Sequence, residues 1–152
     1  MSLPSSMASL TGPWAGTKKL WLEPGTPVRE SSAQANVAVA ANGKFLHIGY
    51  TWNEKRIQHG VLIIGLESDG KRVGAAWIDS WHNGDPIMTL QGEVSTQGAF
   101  KVTGAYPAPP GPDWGWRIEV HPNGSDSWQL LMFNVTPQGE EAKAVEVEFR
   151  PV

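Results

Sequence analysis

Residues 114–150 read WGWRIEVHPNGSDSWQLLMFNVTPQGEEAKAVEVEFR, and this stretch decides the fold. Trp114, Trp116, Ile118 and Val120 fall on one parity, opposite Arg117, Glu119 and His121. Asn123-Gly124 then breaks the run, and in the next segment Leu131, Phe133 and Val135 share a parity. Gln138-Gly139 breaks it again, before Val145, Val147 and Phe149 alternate with Glu146, Glu148 and Arg150. Alternation of period two, cut by turn residues that tolerate positive φ, is the pattern of antiparallel strands joined by hairpins.

Working outward, the rest of the chain repeats the pattern. The spacing predicts ten strands: Trp14–Leu22, Gln34–Ala41, Lys44–Trp52, Arg56–Gly65, Arg72–Asp79, Ile87–Val94, Ala99–Tyr106, Trp114–His121, Ser127–Val135 and Lys143–Arg150. Asn42-Gly43 suits a two-residue type I′ turn, and Asp69-Gly70, Asn83-Gly84 and Gln97-Gly98 repeat the theme. Val61–Ile64 is apolar on both parities and reads as core on both sides. No segment sustains helical spacing, apart from a short turn near Ser5–Leu10 with Ser5 or Ser6 as N-cap. Glu23–Ser32 and Pro107–Pro112 read as loops, each either a connector or a lid. The expected class is therefore all-β: residues 1–152 form a single antiparallel up-and-down barrel of about ten strands.

Composition narrows the function. The net charge is −3 with the signs mixed, so no basic stripe invites nucleic acid. No apolar run reaches the ~18 residues of a membrane span, and Met1–Leu10 lacks the features of a signal peptide. Cysteine is absent, which excludes disulfides and thiolate metal sites and fits a cytoplasmic setting.

Gly12-Pro13-Trp14 at the start of the first strand resembles the calycin barrels, the lipocalins and fatty-acid-binding proteins. The resemblance implies that Trp14 packs across the closed end under an arginine from the last strand, here Arg150. A closer likeness rests on Leu10-Thr11-Gly12-Pro13-Trp14 with Gly16, on Gly60–Gly65, on Trp77-Ile78-Asp79-Ser80 and on Gly92-Glu93. These resemble the landmarks of the family called domain of unknown function fifteen seventy-nine, which implies a lipocalin-like barrel and no assigned function. The Pro-rich loop and Asp113-Trp114-Gly115-Trp116 depart from that pattern.

The eight tryptophans are the most conspicuous excess. They either fill the core or line a pocket for a small hydrophobic ligand, and Trp52, Trp77 and Trp116 are the pocket candidates. Asp79 shares a parity with Trp77, and His47 and Tyr50 accompany Trp52 on its strand. Arg117 and Glu119 are either solvated on the outer face or turned inward; fatty-acid-binding barrels use inward arginines to hold a carboxylate, which makes Arg117 a candidate. The four histidines have no zinc spacing. One branch of the ten-stranded barrels, the nitrobindins, binds haem through a histidine late in the chain. The last strand here has none, so no cofactor is expected. No catalytic motif is present, and the expectation is a binding protein rather than an enzyme. Three rivals stand beside it: a filled barrel that dimerises through exposed aromatics such as Trp81 or Trp128, an enzyme with a buried carboxyl of raised pKa beside a histidine, and a Trp-rich sugar-binding sandwich; a haem-binding barrel is a lesser alternative.

Overall fold

A computed structural model describes residues 2–152. The strands are β1 (Gly12–Leu20), β2 (Arg29–Ala40), β3 (Phe45–Asn53), β4 (Ile57–Leu66), β5 (Arg72–Asp79), β6 (Met88–Val94), β7 (Phe100–Tyr106), β8 (Trp114–Asn123), β9 (Ser127–Val135) and β10 (Glu141–Pro151). Each pairs antiparallel with its neighbours in sequence, and β1 closes on β10, so the sheet is a closed up-and-down barrel. The expected fold is the one found, and β5 and β9 have the expected bounds. Among the described residues no helix is long and apolar enough to cross a membrane.

Period-two alternation sorts side chains between interior and surface. Trp14, Lys18 and Leu20 of β1 point inward, as do Tyr50 and Trp52 of β3, Trp77 and Asp79 of β5, and Trp116, Ile118 and Val120 of β8. One end is sealed by helix α1 (Ser5–Ala8), whose Met7 packs inward with Leu3 and Leu10. Beneath it Trp14 meets Trp128 edge to face, with centroids 6.3 Å apart, and Trp128 stacks on Phe149 at 4.5 Å. The Trp14 indole N–H donates to the Leu10 carbonyl at 2.7 Å. The closed end is thus filled by side chains, and free space lies at the other end.

Several expectations need correction. Strand β2 begins five residues before the expected Gln34, because Leu20 of β1 pairs with Arg29 and the polar stretch between is drawn into the ladder. Ala40 pairs with Phe45, so the β2–β3 connection has four residues, with positive φ at Ala41, Asn42 and Gly43. Pro4, not a serine, precedes α1, and no side chain caps it. Leu62 and Ile64 are buried, but Ile63 on the opposite face is exposed, so Val61–Ile64 is core on one side only. Trp128 is wholly buried and offers no dimer surface, whereas Trp81 is 46% exposed.

Arg150 does not cover Trp14. It points outward, bonds Glu148 and is 67% exposed, because β10 places Val147 and Phe149 inside and the alternating Glu148 and Arg150 outside.

Candidate functional site

The open end is ringed by the β1–β2, β3–β4, β5–β6, β7–β8 and β9–β10 connections. Its centre is built around Asp79, the last residue of β5 and 4% exposed. One carboxylate oxygen accepts the backbone N–H groups of Trp81 and His82, at 2.7 and 2.6 Å, which turns the chain sharply out of the strand. The other accepts the Tyr50 hydroxyl at 2.5 Å, and that hydroxyl oxygen accepts the Trp77 indole N–H at 2.9 Å. Burial alone would raise the Asp79 pKa, but His82 and the Tyr50 hydroxyl outweigh it and hold the carboxyl below the usual range. Burial and the Asp79 charge push the Tyr50 phenol well above its ordinary value. Tyr50 lies across Gly60 on β4, where a side chain would collide with the ring.

A second cluster adjoins the first. Tyr50 stacks on Trp52, with centroids 4.4 Å apart. The Lys18 ammonium sits 3.9 Å over the Trp52 ring and 3.7 Å from Glu54, which is also bound by Arg29 at 3.0 Å. Lys18 is fully buried and Nζ has no hydrogen-bond partner. Burial lowers its pKa to about 8, with Glu54 offsetting part of the effect.

Beside these clusters opens a cavity of about 460 Å³. Trp77 and Trp116, stacked at 5.5 Å and 10°, form one wall; Ile87, Met88 and Pro107 add apolar surface. Tyr106 and Asn134 supply polarity, with the tyrosine hydroxyl donating to Asn134 Oδ1 at 2.5 Å. His82 also lines the cavity. Burial depresses the imidazole pKa, against the pull of Asp79.

Of the residues singled out from the sequence, Trp52, Trp77, Trp116, Tyr50 and Asp79 converge on this end of the interior. His47 does not; it lies on the outer face of β3, half-buried. Arg117 is outside as well, because β8 turns Trp116 and Ile118 inward. Its guanidinium binds Glu119 at 2.7 Å, pairs with both oxygens of Glu141 and lies over Phe133. It therefore cannot hold a carboxylate within the barrel. Lys18, Glu54, His82, Tyr106 and Asn134 were not among the candidates. Lys18 shares its parity with Trp14 and Leu20, which is the signal that places it inside. His82 follows Asp79 by three residues, the spacing of a side-chain-capped turn. Among the described residues no group of three His, Asp or Glu side chains could hold a metal ion.

Similarity to other proteins supports the fold. The crystal structure of Rv2717c from M. tuberculosis superposes with a TM-score of 0.64, covering 99% of each chain at 11% sequence identity. No curated protein is significantly similar to the chain. The sequence model of one family, described as "Protein of unknown function (DUF1579)", matches residues 5–150. That match spans nearly the whole barrel, and the chain belongs to the DUF1579 family.

Proposed function

We propose that the protein binds a small, largely apolar molecule at the open end of its barrel. One observation carries the reading: a cavity of about 460 Å³ faces the stacked Trp77–Trp116 pair. Its size falls within the ~300–1,000 Å³ common for small-molecule sites. Flat or aliphatic surface would be buried against the indoles and Met88, and the Tyr106–Asn134 pair would orient one polar group of the ligand. An enzyme with a raised-pKa carboxyl is less well supported, since Asp79 is shifted downward. The filled closed end supports the rival reading of a purely structural barrel, but the open end does not follow it.

Titration with fatty acids and retinoids, read by tryptophan fluorescence, tests the proposal. A saturable change lost in Trp116→Ala is expected. No response to any member of the panel would favour the structural barrel.

A further inference from the structure

His82 fills a chamber that suits another kind of group better. Four indoles enclose its imidazole, with centroid distances of 4.4 Å to Trp81, 5.4 Å to Trp52, 5.6 Å to Trp116 and 6.5 Å to Trp77. The fifth side is the Asp79 carboxylate, 3.6 Å from Nδ1. Neither ring nitrogen makes a hydrogen bond, and both are shut off from water. Burying a polar atom without a partner is destabilising. The ring is therefore enclosed without its hydrogen-bonding capacity being met.

Indole rings beside a carboxylate are surroundings that attract an organic cation, whose charge needs no directed hydrogen bond. One ammonium, that of Lys18, already lies 3.9 Å above Trp52 in the same region. Glu54 and Asp79 both favour the Lys18 charge, and Asp79 likewise favours a positive charge at the position of His82, with Lys18 opposing it. His82 reaches the chamber from the β5–β6 connection, outside the strands. It also forms part of the cavity wall with Trp77 and Trp116, so chamber and cavity are contiguous.

We propose that the chamber receives the cationic head of an amphiphilic amine, quaternary or protonated, and that His82 occupies it as an internal stand-in when no such ligand is bound. The proposal rests on the reading of the cavity as a ligand site and names the head group: the apolar body would lie along Trp77 and Trp116. For the head to enter, His82 swings out with its connection, and the Asp79 oxygen that it leaves faces the cation.

Benzyltrimethylammonium and its neutral carbon isostere, neopentylbenzene, are the probes, with affinities measured by tryptophan fluorescence and calorimetry on the full chain. His82→Ala vacates the chamber. It is expected to bind the cation about 10-fold tighter than the isostere and about 10-fold tighter than the unaltered protein does. Trp81→Ala removes a half-exposed wall residue, and in the otherwise unaltered protein it should narrow the preference for the cation about 3-fold. Equal binding of the two probes by His82→Ala would overturn the cation chamber and leave the apolar cavity standing. Equal affinity of His82→Ala and the unaltered protein for the cation would overturn the stand-in role. If neither probe binds either protein, the ligand-site reading falls too.

Discussion

Replacing Lys18 with Met should stabilise the protein, although it deletes an ion pair. The side chain is fully buried, its ammonium lacks a hydrogen bond, and Glu54 is 3.7 Å away. The resulting pKa of about 8, against an ordinary 10.5, means that the folded state disfavours the charged form. At ~1.4 kcal/mol per pH unit, the penalty is about 3 kcal/mol. Below pH 8 both states carry the proton and the penalty is present in full. Between pH 8 and 10.5 the unfolded chain binds more protons than the folded one, so stability rises with pH until the penalty is gone. Met has similar length and no charge, and Glu54 keeps Arg29 at 3.0 Å. Urea unfolding at pH 7 should therefore show Lys18→Met more stable by ~1–3 kcal/mol. At pH 9.5 the unaltered protein should have regained roughly 2 kcal/mol, so that most of the difference closes. The Tyr50 phenol, pushed well above 10, is still protonated there. A variant less stable at pH 7, by a margin unchanged at pH 9.5, would refute the reasoning and mark Lys18 as a well-compensated cation.

Other substitutions separate the roles of neighbouring groups. Trp14→Ala removes the ring that meets Trp128 and donates to Leu10; it should cost ~3–5 kcal/mol in urea unfolding. Tyr50→Phe strands the Trp77 N–H and one Asp79 oxygen, and a loss of ~1–3 kcal/mol is expected in the same assay. Gly92→Ala would drive a methyl into the Lys101 carbonyl of the adjacent strand; a destabilisation of ~1–3 kcal/mol, or failure to fold, should follow. Arg150→Ala, at an exposed outer position, should leave the unfolding midpoint unchanged.

The alternation that predicted the barrel picked out the buried parity of β8 and β10, but in β9 Leu131, Phe133 and Val135 lie on the outer side and Trp128, Leu130 and Met132 are buried instead. Trp77 and Asp79, two residues apart, had to share a face; alternation put Arg117 opposite Trp116 and Ile118 but did not say which of the two faces is the interior. The first half of β2 was illegible because Arg29-Glu30-Ser31-Ser32 has no apolar alternation; it is a strand because β1 needs a partner there. Lys18 shows the opposite failure. Its parity was plain, but lysine is so rarely interior that the residue type argued against the position. The location of His82 depends on two N–H bonds to Asp79 and on the indoles around it, long-range facts that no local pattern encodes.

The pairing of β1 with β10 joins the two most distant strands of the ladder. On the ribosome, β2 pairs with one edge of the first stave early, but the backbone donors and acceptors of its other edge face solvent while eight strands are made and until the last arrives. Such late, long-range closure makes for slow folding. The seam between Trp14–Leu20 and Val145–Pro151 is consequently where chaperone binding, strand exchange between nascent chains and truncation sensitivity should concentrate.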